Sequence, residues 1–221
     1  MYHRVFRDFS DGELVSAVGY DIVVRRRSMG KLVLPTGKLV ACDPLEHPGT
    51  EPFDLEVDPG AYPVRLYIAE LRDDKRVAYA SIECAPTSPS RWSHATCFDE
   101  HHGYSVISSL GAFMDAQTAT RNIEYTEITL YDEDEIDREM HAQFQRNRKR
   151  NLGYVSGNIA HEALGEGNLI VFSSGHGEGL YTTYVGRDSS GRICRVVTDF
   201  EVLDLLFPTF MPPTPAYDSA L

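Results

Sequence analysis

The sequence has no long hydrophobic run: nothing in it approaches the roughly 18 to 20 apolar residues that a bilayer-spanning helix needs. Its opening, MYHRVFRDFSDGELVSAVGYDIVV, lacks the core of about 7 to 15 apolar residues that a secretory signal carries. A cytoplasmic protein is expected. Cysteine is scarce: Cys42, Cys84, Cys97 and Cys194 are scattered and form no C-x-x-C pair. That excludes a disulfide framework or a zinc ribbon and points to reduced thiols, mostly buried in strands. Basic residues are in deficit, 21 Lys and Arg against 33 Asp and Glu, for a formal net charge of −12. Such a surface repels polyanions, so neither nucleic acid nor a membrane is an expected partner. Strand–helix–strand alternation is missing too, and with it the doubly wound α/β class.

What is present is an ordinary globular composition, 42% hydrophobic and 24% charged over 221 residues. It predicts one domain over residues 1–207, with the first 30 residues peripheral. Residues 208–221 hold four prolines and few core formers, as expected of a disordered tail or an extended arm.

Periodicity predicts a mainly β or α+β fold of roughly nine strands in antiparallel sheets. A short helix capped by Ser10 precedes a strand through Ile22 to Val24. Pro35-Thr36-Gly37 separates two apolar runs and reads as hairpin punctuation. The clearest hairpin is GAYPVRLYIAELRDDKRVAYASIE. Val64, Leu66 and Ile68 alternate on one arm and Ala78, Ala80 and Ile82 on the other, around Asp73-Asp74, with one face buried and one solvated. PTSPSRWSHATCFDEHHG reads as a loop and YSVISSLGAFMD as strand and bend. A short helix follows Asp115, and IEYTEITLY alternates as a strand. One long polar helix is expected at about 133–150, with an acidic start, a basic end, a thin apolar stripe of Ile136, Met140 and Phe144, and Gly153 placed to end it. A helix so polar packs lightly or bridges to a partner. NLIVFSS, LYTTYVGR and ICRVVTDF form a C-terminal antiparallel meander.

Between the first two of those strands lies the sharpest local feature, Ser173-Ser174-Gly175-His176-Gly177-Glu178-Gly179. Glycines let a ligand approach the backbone closely. His176 and Glu178, two apart, point the same way if the loop is extended, and such a pair serves as general base or metal ligands. A flexible connection explains the same residues without function. No helix follows the glycines, so a phosphate-binding P-loop is excluded. No G-x-S-x-G elbow supports Ser174 as a nucleophile. Asp43, Asp115 and Asp199 each end an apolar run; they either cap turns or converge on one acidic rim. His94, Cys97, His101 and His102 fall within nine residues, but no second cluster completes a four-ligand zinc set. The basic run Arg146–Arg150 reads as a solvated, dipole-matched helix end.

Five ordered blocks carry a resemblance: LPTGKLVACDPL, GAYPVRLYIAE, RVAYASIE, GYSVISSLGAFMDAQTA and NLIVFSSGHGEGLYTTYVGRDSSGRICRVVTDFEVL. Over roughly residues 31 to 204 the chain resembles a bacterial family, domain of unknown function 4241. The resemblance directs attention to Gly37, Asp43, Pro44, Gly60, Tyr62, Pro63, Phe113, Asp115, Ser174, Gly175, Gly177, Gly179, Tyr181, Gly186, Asp199 and Phe200. It also implies an aspartate where this chain has Ile107, a glycine where Ser109 stands, and Asp more often than Glu at position 178. It implies no reaction and no particular cofactor.

The expectation is therefore a binding or accessory protein, immunity-like or regulatory, with a glycine-rich loop facing a ligand on an acidic rim. The rim is lined by Asp43, Asp115, Ser173, Ser174, Gly175, His176, Gly177, Glu178, Gly179, Tyr181 and Asp199. Its ligand is a small molecule or a protein partner, and no metal is assigned. The alternative is a small hydrolase or isomerase using His176, Glu178 and Asp199, with or without metal assistance. The pattern carries no indication of oligomeric state.

Overall fold

The computed structural model describes residue 6 and residues 8–17, 20–97, 101–129 and 134–203. The proline-rich tail at 208–221 lies outside them. In chain order the strands are β1 (Glu13–Ala17), β2 (Tyr20–Leu34), β3 (Leu39–Cys42), β4 (Gly60–Leu71), β5 (Asp74–Glu83), β6 (Arg91–His94), β7 (Thr96–Cys97), β8 (His101–His102), β9 (Tyr104–Val106) and β10 (Leu110–Asp115). Helices α1 (Ala116–Ile128) and α2 (Glu135–Lys149) follow, then β11 (Ser156–Ile159), β12 (Leu169–Ser173), β13 (Gly179–Tyr181), β14 (Thr183–Arg187) and β15 (Ile193–Asp199).

The hairpin β4–β5 is the centre of a seven-stranded antiparallel sheet ordered β1-β2-β4-β5-β15-β14-β6. Val64, Leu66, Ile68, Ala78, Ala80 and Ile82 are all buried, as their alternation requires. The opposite face is not solvated as expected: Tyr67 and Tyr79 are buried there as well. Phe9 covers both rings, and Phe6 meets Tyr79, Trp92 and Tyr184 with ring centroids 4.9–5.3 Å apart. The described residues among the first 30, expected to be peripheral, thus supply this cover, the edge strand β1 and most of β2. Glu13–Ala17 pairs with Tyr20–Val24 in an antiparallel hairpin, so no helix follows Ser10; a paired strand satisfies the backbone that a lone short helix leaves open.

A second antiparallel sheet, β11-β12-β10-β3, lies against the first. Leu39, Ala41, Phe113, Ile170 and Phe172 join the large core between the sheets. The alternate residues Val40, Cys42, Ala112, Met114, Leu169 and Val171 join a second core with Ile136, Met140 and Phe144 of α2. Burial on both faces is why LVAC, LGAFMD and LIVF are continuous apolar runs.

The Pro35-Thr36-Gly37 turn therefore links no hairpin. Its flanking strands belong to different sheets, β2 pairing with β4 and β3 with β10, so it is a corner between layers. Likewise only β14–β15 of the expected meander is a hairpin, while β12 sits in the small sheet. The RWSH segment, read as loop, is the edge strand β6 paired with β14. The strand expected from Ile123 is the second half of α1, with Leu130 and Tyr131 outside the described residues. Asp115 caps α1 by accepting from the Gln117 N–H at 2.8 Å, and once nucleated the helix propagates at little cost per residue. The long polar helix is present as α2. Asn151, at φ 50°, rather than Gly153 closes it, with Asn151 N–H donating to Arg148 O and Leu152 N–H to Asn147 O.

Candidate functional site

The glycine loop carries the chain from the small sheet back to the large one, and its conformation is closed. Gly177 N–H donates to Ser174 O at 2.7 Å, with Gly175 at φ 48° in the first central position of the turn. Only glycine reaches that φ cheaply. A Cβ at Gly175 would stand 2.6 Å from Phe200 Cβ. The Ser174 hydroxyl donates to Gly177 O at 2.8 Å, and the Tyr181 hydroxyl reaches Ser174 O and Gly177 O at 3.2 and 3.0 Å. Arg76 Nη1 donates to Gly175 O at 3.1 Å. Ser173 is engaged with Val155, accepting from its N–H at 2.9 Å. Because the loop turns, His176 and Glu178 do not share an extended face; both are exposed. Partial burial and the neighbouring Arg76 lower the His176 pKa, against the pull of Asp74 and Glu201.

The three aspartates are buried and committed. Asp43 Oδ1 accepts from the N–H groups of Leu45 and Glu46 and from the Ser108 hydroxyl, and Oδ2 from the N–H groups of Ile107 and Ser108, all at 2.7–3.2 Å. Burial by itself would raise its pKa; these donors, led by the Ser108 hydroxyl, outweigh burial and hold the carboxyl below the usual range. Asp115 accepts from Gln117 N–H and from both N–H and hydroxyl of Thr36. Asp199 Oδ1 accepts from Glu201 N–H at 2.8 Å. Asp43 fastens the segment that precedes Ser109, whose carbonyl receives the Ser174 N–H. Asp199 precedes Phe200, whose Cβ and carbonyl oxygen lie beneath Gly175. Asp115 is elsewhere: it pairs with Leu39 on β3, four residues from Asp43, or about 13 Å along the strand. Carboxylates so placed clasp turns and do not line an open rim.

Two contiguous cavities lie beside the loop. One of about 250 Å³ is lined by Asp74, Arg76, Ser109, Tyr154 and Ser173 to Gly177; the other, of about 710 Å³, by Leu45, Ser109, His141, Phe144, Arg148, Asn151, Tyr154 and Ser173. They meet along Ser109, Gly153, Tyr154 and Ser173, giving one groove between the glycine loop and the C-terminal half of α2. Arg76 turns its guanidinium to Asp74 at 2.6 Å, and Lys75 its ammonium to Glu70 at 2.9 Å. A larger hollow of about 800 Å³ lies over α1 and Ala163 and touches no candidate residue.

Sequence reasoning missed Tyr154, His141, Ser109 and Arg148 as groove residues. In sequence, Arg148 belongs to a run that reads as solvated, and no periodicity reveals which turn of a helix faces a loop distant in sequence. The rings of His94 and His102 lie tilted against each other with centroids 4.4 Å apart; burial and then His102 lower the His94 pKa. Among the described residues no three His, Cys, Asp or Glu side chains are grouped to hold a metal ion. All four cysteines are free thiols, Cys42 and Cys194 buried, and burial pushes the Cys84 thiol up to about 12.

The residues that carry the resemblance are the fasteners of this arrangement. Phe113, Phe172, Phe200 and Tyr181 form a chain of rings with successive centroids 5.0, 5.9 and 4.9 Å apart, leading from the small sheet to the loop. A Cβ at Gly37 would lie 2.0 Å from Val57 O. No curated protein and no solved structure matches the chain. Residues 32–198, well over half of it, match the model of the family described as protein of unknown function (DUF4241). The chain belongs to the DUF4241 family.

Proposed function

We propose that this is a binding protein whose ligand, a small molecule or a segment of a protein partner, lies in the groove between the glycine loop and α2. The observation that carries this reading is the junction of the two cavities at Ser109, Gly153, Tyr154 and Ser173. It makes a concave site lined by polar groups from the glycine loop, α2 and the segment around Ser109. An accessory or regulatory role follows by analogy only. The catalytic alternative has less support. Among the described residues, no hydrogen bond or ion pair engages the His176 imidazole or the Glu178 carboxylate, and the Ser174 hydroxyl is spent on Gly177. A general base needs a partner or substrate proton within hydrogen-bond reach.

The test is a thermal-shift screen with metabolites, nucleotides and metal ions, since any ligand of the folded state raises the melting temperature by mass action. Each hit is repeated on His176→Trp and Arg148→Trp, which narrow the groove from opposite walls without entering the core. Loss of the shift in both variants supports the groove. Full shifts in both would place the ligand elsewhere and overturn the reading.

A further inference from the structure

We infer that the groove is an anion site, in which Arg148 pairs with a carboxylate or phosphate group of the ligand. The inference rests on the groove being the binding site and adds the chemistry of what enters it. Although the chain carries a net charge of −12, the groove's charge balance runs the other way. Of its cations, Lys75 and Arg76 are neutralised by Glu70 and Asp74. Arg148, exposed on the last turn of α2, has no ion pair among the described residues. Its neighbours along the same helix do pair, Arg146 with Glu139 at 3.0 Å and Arg138 with Glu135 at 4.0 Å. Among the described residues the only carboxylate lining either cavity is Asp74, and it is held by Arg76 and by the Lys75 N–H at 2.8 Å.

The rest of the lining carries donors: the Ser109 hydroxyl, the Asn151 amide, the Tyr154 phenol and the imidazoles of His141 and His176. Tyr154 sits where the cavities meet, with Arg27 behind it. Burial raises the phenol's pKa against the pull of the Arg27 guanidinium. Arg27 Nε is itself buried with no hydrogen-bond partner, and Arg27 has no ion pair among the described residues. A phenol beside a guanidinium is a stronger donor toward an anion than toward a neutral ligand. A guanidinium facing this set is suited to bidentate pairing with a carboxylate or phosphate group. The acidic body around it would repel an anion at long range, so binding would depend on contact and not on steering.

The experiment is titration calorimetry of the full chain with inorganic phosphate, pyrophosphate, citrate, glucose and spermidine. Pyrophosphate or citrate should bind, and Arg148→Gln should weaken that binding at least tenfold, whereas Arg138→Gln on the same helix should leave it unchanged. Phosphate and pyrophosphate binding without citrate would assign a phosphate ligand; citrate alone, a carboxylate. Both variants lie on exposed surface, and equal unfolding midpoints confirm that they fold. Failure of all three anions, or anion binding insensitive to Arg148→Gln, would overturn the inference. Binding of glucose or spermidine that His176→Trp abolishes would also overturn it while leaving the groove as the binding site.

Discussion

At the residue scale, two positions beside the groove make quantitative tests. Ser109 holds φ 65°, a conformation that costs a non-glycine residue roughly 1 kcal/mol. Family resemblance alone pointed to glycine there, and the backbone supplies the reason. Ser109→Gly should raise unfolding free energy by about 1 kcal/mol, read as a higher denaturant midpoint at constant slope. Asp43 makes the opposite case. Its depressed folded-state pKa contributes stability that is fully present above the unfolded value of about 3.9 and is lost as pH falls through the folded value. Asp43→Asn turns an amide donor toward the N–H groups of Ile107 and Ser108 and should cost roughly 2–4 kcal/mol at neutral pH. Acid titrations of the two proteins should converge as pH drops; a constant gap down to strongly acid conditions would refute this account. The aspartates could be picked out in the sequence because each ends an apolar run. Their role as clasps could not, because the donors to Asp43 include Ile107 and Ser108, 64 and 65 positions further along the chain, as well as its neighbours Leu45 and Glu46.

At the element scale, the glycine loop is a corner as well as a wall. Its Ser174–Gly177 turn, the Tyr181 hydroxyl above it and the Phe200 side chain below fix it in place. Gly175→Ala must place a methyl at φ 48° and against Phe200, which should cost roughly 2–3 kcal/mol. Gly49→Ala, whose Cβ would meet only Ile123 at 3.5 Å, should be near neutral in the same unfolding assay. The turn itself was legible from Gly175 and Gly177, but its service as a crossover between two sheets was not. Strands β12 and β14 follow one another closely in the chain, and no local signal says that they pair with different partners. The same blindness explains α1. Ile123, Tyr125 and Ile128 alternate with polar residues in a way that suits a half-buried strand, yet the helix started by Asp115 runs through them. β-branched residues cost a helix only a few tenths of a kcal/mol each, less than a break in an already propagating helix.

At the scale of the whole molecule, charge and layering act in opposite senses. The net charge of −12 sets up self-repulsion that salt relieves. Raising NaCl from about 20 to 300 mM should lift the melting temperature by a few degrees, the shift expected of roughly 1 kcal/mol in a chain of this size. Over the same range the affinity of an anion for the Arg148 groove should fall, because an exposed ion pair is screened. The two responses diverge only if the groove is locally cationic. Melting temperature and anion affinity rising together would be incompatible with that picture. The layering is set by the small sheet, whose alternate residues feed the inter-sheet core on one side and the α2 core on the other. That arrangement holds α2, and with it Arg148, opposite the glycine loop.

The sequence by itself determined that the chain is mainly β with antiparallel sheets, that a hairpin joins β4 to β5 (its turn is Arg72-Asp73, one residue before the expected Asp73-Asp74), that a polar helix presents Ile136, Met140 and Phe144, and that the chain resembles its family. These are local matters of period, cap and turn, written in residues a few positions apart. The tertiary structure alone decided which strands share a sheet, that Asp43 and Asp115 stand at opposite ends of β3, and that Tyr154 lines one cavity with Arg148 and another with His176. Pairing between distant strands is fixed by the mutual burial of whole faces, and no short stretch of sequence encodes the partner it will meet.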